Sequence, residues 1–137
     1  DEYQPLVQEH GFGLTTWSPL ASGILAGRYD VGTAPGSRLT TEGFAWLEAF
    51  IFENKREARI AAARQLKDIA DELGATRAQL ALAWALQNRS VTSVLIGASS
   101  LKQLQENLGA LDVMPHLDSS LRSKIEQVME SSSPIMR

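Results

Sequence analysis

Two strand-like stretches, standing far apart in a chain otherwise patterned for helices, constrain this sequence more than any other feature. In the first, GLTTWSPL, the run Leu14, Thr15, Thr16 and Trp17 favours a strand, and Ser18-Pro19 stops it. The second, VTSVLIGAS, contains the unbroken apolar run VLIG, which predicts burial on both faces as in a parallel sheet. Strands alternating with helices point to a parallel α/β design. Yet two strands cannot close a sheet, and the helices carry wide apolar faces that require a partner surface.

The rest of the chain follows from periodicity and caps. EYQPLVQEHGFG reads as the tail of a helix ending at glycine. ASGILAGRYDVGTAPGSR carries four glycines and one proline, so a loop is expected with at most one helical turn near Gly23 to Ala26. TTEGFAWLEAFIF opens a helix with Thr at the N-cap and Glu42 near the first turn. Next, Ile60, Ala63, Leu66, Ile69, Ala70 and Leu73 recur at helical spacing, and Gly74 is placed to end that helix. Thr76 can cap RAQLALAWALQNRS, an apolar helix through Leu80, Ala83, Trp84 and Leu86. Ser99 or Ser100 opens LKQLQENLGAL, and Asp118 caps a last helix whose buried stripe is Leu121, Ile125 and Val128. The SSSPIMR tail is expected to be loose. No repeat, low-complexity tract or dividing linker interrupts the 137 residues, which read as part of a single domain.

Composition excludes several classes. A net charge of -3 leaves no basic footprint, so no nucleic-acid partner is expected. No apolar run approaches the roughly 18 residues of a membrane span, so no membrane insertion is expected. The absence of cysteine rules out disulfides and Cys-ligated metals, and no metal site is expected; it is compatible with a reducing cytoplasm. The acidic N-terminus lacks signal-peptide order and an initiator Met, so the chain is expected to be a piece of something longer.

A strand end feeding a helix start is where α/β proteins place anions, because free N–H groups and the helix dipole favour negative charge there. In IGASSLKQ, Gly97 and Ala98 allow close backbone approach, Ser99 and Ser100 offer hydroxyls, and Lys102 a mobile charge. Gln103, Glu106 and Asn107 project from one face near the same opening. That set suits a phosphorylated nucleoside; the plainer alternative is a serine cap followed by a solvated face. Trp17, at the exit of the first strand, could stack on a flat ring or be a partly buried core residue.

TWSPLASGILAGRYD, PGSR, RAQLALAWALQN and SVLIGASSLKQLQENLGAL together resemble the aldo-keto reductase superfamily, in the branch containing potassium-channel β subunits and their bacterial and plant relatives. The resemblance is weakest over FAWLEAFIFENKREARIAAARQ and the last fifteen or so residues. It implies the C-terminal part of a (β/α)8 TIM barrel, with strand seven at Leu14 to Trp17 and strand eight at Ser93 to Ile96. It also implies an NADP(H) site. Trp17 would stack on the nicotinamide, and Ser18, Pro19, Leu20, Ala21, Ser22 and Gly23 would straddle the pyrophosphate. Arg28 would keep a positive charge near the phosphates, and Ser37 and Arg38 would close from the far side. Gly97 and Ser99 would meet the 2′-phosphate and its ribose, Gln103 would add a hydrogen bond, and Glu106 and Asn107 would read the adenine.

The family's catalytic Asp, Tyr, Lys and His or Asn belong to the first half of its barrel, so the resemblance implies no catalytic residue in this chain. Tyr3, Tyr29, His10 and His116 fall outside the matching motifs and are expected at the surface. The implied activity of the intact protein is NADPH-dependent reduction of aldehydes and ketones, with a small carbonyl compound as substrate. The competing reading is a potassium-channel β subunit that binds NADP(H) and docks on the channel's cytoplasmic domain. Gly36 and Arg28, where animal channel subunits have Tyr and Lys, lean toward the enzyme. A cytoplasmic homotetramer is the assembly the branch implies.

Overall fold

The computed structural model describes residues 3–33, 36–52 and 55–131, and only the backbone of Arg38, Ala45 and Ser131. The SSSPIMR tail beyond Ser131 therefore lies outside the described residues, as does the side chain of Arg38.

The two strands find each other. β1 (Leu14–Thr16) and β2 (Val91–Val94) form a parallel pair with Leu14 opposite Val91, Thr15 opposite Ser93 and Thr16 opposite Val94. The register slips once, at Thr92, whose side chain lies against Gly13; a Cβ there would fall 1.7 Å from Thr92 Oγ1. At the far end the Leu95 N–H donates to the Thr16 carbonyl at 2.8 Å, so both strands leave the sheet side by side. The expected double burial of VLIG does not hold, because Leu95 is 54% and Ile96 37% exposed. Each strand has only one neighbour among the described residues, which leaves those side chains uncovered.

Helices fill the rest. α1 (Gln4–His10) buries nothing. A glycine-rich loop with a 3-10 turn at Ala21–Gly23 leads to a second 3-10 turn at Arg38–Thr40. α2 (Ala45–Phe52) starts later than its sequence suggests. The hydroxyls of Thr40 and Thr41 donate to the Ser37 carbonyl at 3.0 and 3.1 Å, closing a turn instead of capping the helix.

α3 (Arg56–Glu72) ends as its glycine predicts. Gly74 takes φ +62°, its N–H donates to the Asp71 carbonyl, and the Ala75 N–H reaches back to Ala70. Thr76 then caps α4 (Arg77–Leu86) reciprocally with Gln79. Ser100, not Ser99, caps α5 (Leu101–Leu108). A short α6 (Ala110–Val113) and a 3-10 turn at Met114–His116 follow, with no strong sequence signal for either. Asp118 accepts the Leu121 N–H at the start of α7 (Ser119–Ser131).

Two cores hold this together. Leu66, Ile69, Leu80, Leu82, Ala83, Val113, Leu117 and Ile125 join α3, α4, α6 and α7. The second core, Ala21, Ile24, Tyr29, Leu47, Ile51, Phe52 and Ala63, fastens the glycine-rich loop to α2 and α3. Tyr29 thereby corrects its expected surface position: it is 1% exposed, its ring meets Phe52 edge-on at 5.7 Å, and its hydroxyl donates to the Ser22 carbonyl. Tyr3, His10 and His116 are exposed as expected. No described helix is long and apolar enough to cross a membrane, and no described cluster of His, Cys, Asp or Glu could hold a metal.

Candidate functional site

The parallel register puts everything downstream of Thr16 beside everything downstream of Val94. The segment Trp17 to Gly23 and the segment Gly97 to Ser100 are therefore neighbours because of backbone hydrogen bonding, whatever their side chains do.

The first segment is strained. Ser18, Ala21 and Ser22 adopt φ of 52°, 47° and 55°, a left-handed conformation that costs a residue bearing a Cβ roughly 1–2 kcal/mol. The surroundings enforce it: Ala21 is buried, its N–H bonds the Ser18 carbonyl, the Gly23 N–H bonds Leu20, and Tyr29 holds Ser22 from below. Residues held in such conformations cluster at ligand clamps and active sites. Ser18, Pro19 and Leu20 are half-buried, and Arg28 is exposed.

Trp17 stands 67% exposed at this exit. Phe50 of α2 lies nearly parallel to it, at 6.5 Å between centroids and 21° between planes. Trp46 and Phe44 continue a row of rings, 6.0 Å from Phe50 to Trp46 and 6.4 Å from Trp46 to Phe44. Sequence reasoning missed this row, although aromatic residues at 44, 46 and 50 were its visible signal.

The second segment is more unusual. α5 is amphipathic in the wrong sense: Leu101, Leu104 and Leu108 are exposed, while Gln103 and Glu106 are half-buried and Asn107 is 4% exposed. Asn107 is thus turned inward, and Gln103 and Glu106 are only partly solvated. Gln103 Oε1 accepts both the N–H of Ser99 at 2.8 Å and its hydroxyl at 3.1 Å, so Gln103 orders the mouth from within. The Glu106 carbonyl accepts Gln79 Nε2 at 3.0 Å, tying α5 to the start of α4. Gly97 and Ser99 remain exposed.

Whether these residues suit a phosphorylated dinucleotide can be judged from polar atoms the chain leaves unsatisfied. Thr16 Oγ1, Ser37 Oγ and Asn107 Nδ2 are buried without a hydrogen-bond partner among the described residues. They sit on the β1 exit, the loop and α5, the three elements assigned to the cofactor. Gln87 Oε1, in a cavity away from these elements, is orphaned too, so such atoms are not confined to this end; those on β1, the loop and α5 are compatible with a ligand there. Solvent does not reach Ser37 Oγ or Asn107 Nδ2, so contact with a ligand there requires these side chains to turn. A cavity of about 500 Å³ lined by Trp84, Gln87, Asn88, Arg89, Arg122 and Glu126 lies at the opposite, entry end of β2 and takes no part.

Comparison with known proteins places the chain in a family. A family model described as "Aldo/keto reductase family" matches residues 2–130. Among curated proteins, the chain is 47% identical over 131 residues to a "Probable voltage-gated potassium channel subunit beta" of Arabidopsis thaliana. It is 44% identical over 133 residues to a protein of the same description from Oryza sativa subsp. japonica. Each alignment covers 95% of this chain but 39% of the relative, so the chain spans about two fifths of their length.

Proposed function

The chain belongs to the aldo/keto reductase family, and we propose that it is the cofactor-binding end of an NADPH-dependent carbonyl reductase. In the whole protein, β1 and β2 would be the last two strands of a (β/α)8 barrel, and their paired exits would lie on its active face. The polar face of α5 carries the proposal, because a helix that exposes its leucines while burying Asn107 and half-burying Gln103 and Glu106 is not stabilised as a free surface helix.

Under this reading Trp17 stacks on the nicotinamide and Ser18 to Gly23 pass over the pyrophosphate. Arg28 and Arg38 add positive charge, and Ser37 a hydroxyl. Gly97, Ser99 and Gln103 hold the 2′-phosphate end, and Glu106 and Asn107 face the adenine. The bound cofactor supplies a hydride to the substrate carbonyl. This chain binds and orients; the groups that move protons belong to chain outside it. The direct test is oxidation of NADPH, followed by its absorbance, with small aldehydes and the natural protein containing these residues. Turnover supports the reductase, and a protein that holds NADPH yet reduces no carbonyl refutes it.

The descriptions of the two plant relatives favour a second reading, a cytoplasmic channel subunit that uses the same cofactor site. Co-purification of the natural protein, as a tetramer, with a potassium channel's cytoplasmic domain supports it. A tetramer that fails to bind that domain removes it.

A further inference from the structure

The loop from Ser18 to Thr33 is anchored at its middle by Ile24 and Tyr29, each 1% exposed in the second core. Its far end is held by arginines, Arg56 donating to the Thr33 hydroxyl at 2.5 Å and Arg77 and Arg64 gripping Asp30. Arg77, the first residue of α4, directs its guanidinium under the loop and forks onto both carboxylate oxygens of Asp30, one of them at 3.4 Å. The same group donates to the Ala63 carbonyl in α3 at 2.9 Å. A Cβ at Gly27 would lie 1.5 Å from an Arg77 nitrogen, so the guanidinium fills the space that a side chain there would need. Arg64 of α3 adds a hydrogen bond to the Asp30 carbonyl. Two helices thus grip one residue of the loop.

The placement is costly by itself. A cation in the first turn opposes the helix dipole, and the Arg77 side chain is only 12% exposed. Asp30, at 27% exposure, offsets both penalties. A buried fork of this kind is geometrically specific in a way that a surface pair is not. α4 also packs on β2, which delivers Gly97 and Ser99. The contact therefore joins the loop half of the site to the helix that positions the other half.

We propose that Arg77 is a positioning residue: its fork onto Asp30, seated on Gly27 and Ala63, latches the 18–33 loop and sets how long the cofactor stays beneath it. This rests on the reading that the loop covers the pyrophosphate. A ligand under a loop leaves when the loop lifts, and lifting its Gly27 to Asp30 end means parting this partly buried fork as well as drawing Tyr29 out of the second core. The latch therefore acts on release, with little effect on hydride transfer from cofactor already bound.

The test uses the natural protein with Arg77→Ala, Arg77→Lys, Asp30→Asn and the Arg77→Ala/Asp30→Asn pair. Stopped-flow fluorescence follows NADPH release on mixing with excess NADP⁺. Hydrogen exchange follows the amides of 23–32 against those of α7, and single turnover follows hydride transfer. The expected result is release roughly tenfold faster in Arg77→Ala and Asp30→Asn. The double variant should be no faster than either single, Arg77→Lys should fall between, and single turnover should stay unchanged. Exchange should quicken in 23–32 and not in α7. Unchanged release overturns the proposal, as does equal loosening of α7, which would make Arg77 merely structural. If the unaltered protein holds no NADPH while Arg77→Ala still loosens 23–32, the cofactor reading fails and takes the residence-time claim with it.

Discussion

Gly13 has no room for a side chain, and the reason is the neighbouring strand. A Cβ there would meet Thr92 Cβ at 2.9 Å as well as its hydroxyl. Gly13→Ala is therefore expected to destabilise the protein by about 1–3 kcal/mol, and Thr92→Ala to recover part of that, read by chemical denaturation. A stability unchanged by Gly13→Ala would mean the strands are not this close. At this scale the sequence was legible where backbone chemistry decides: Thr76, Asp118 and Gly74 do what their residue types predict. It misled where tertiary contact decides. Tyr29 sits in a glycine-rich, polar-looking loop, yet the second core, with the Phe52 ring and the Ser22 carbonyl, draws it inward. Gln103 looked free to reach a ligand, yet its carbonyl oxygen is already used by Ser99.

The elements divide into those that stabilise themselves and those that wait for a surface. α4 is the first kind, capped reciprocally at Thr76 and buried along Ala78, Leu80, Ala81, Leu82 and Ala83. Thr76→Ala should cost about 1 kcal/mol, and Leu80→Ala, at a side chain 1% exposed, about 2–5 kcal/mol. Thermal unfolding of both variants checks the ranking, and equal losses would contradict it. α5 is the second kind. Periodicity put Gln103, Glu106 and Asn107 on one face, but could not say whether that face would be covered. A sequence pattern gives the stripe; the surroundings give its direction. The same limit applies to VLIG, whose apolar run is real while the strands that would bury it are not among the described residues.

For the whole molecule, uncovered apolar surface is the governing fact. Leu95, Leu101, Leu108 and Leu111 are each more than half exposed, and Leu104 adds to the patch. Such a surface favours association. The 137-residue chain alone is expected to bind an apolar fluorescent dye and to self-associate, as light scattering would report; a dye-free monomer would contradict this. The family was legible from motifs at the strand exits because the ligand end of a fold is written in particular residues. Two strands do not show how a sheet closes, so the barrel was read from the resemblance and not from the strand count. The central claim is that the two strand exits form one nucleotide site. Its most direct test is NADPH titration, by fluorescence, of the natural protein beside Trp17→Ala and Ser99→Ala. The account predicts that each variant weakens binding about tenfold, Trp17 through lost stacking and Ser99 through a lost phosphate contact. Affinity unchanged in both would contradict it.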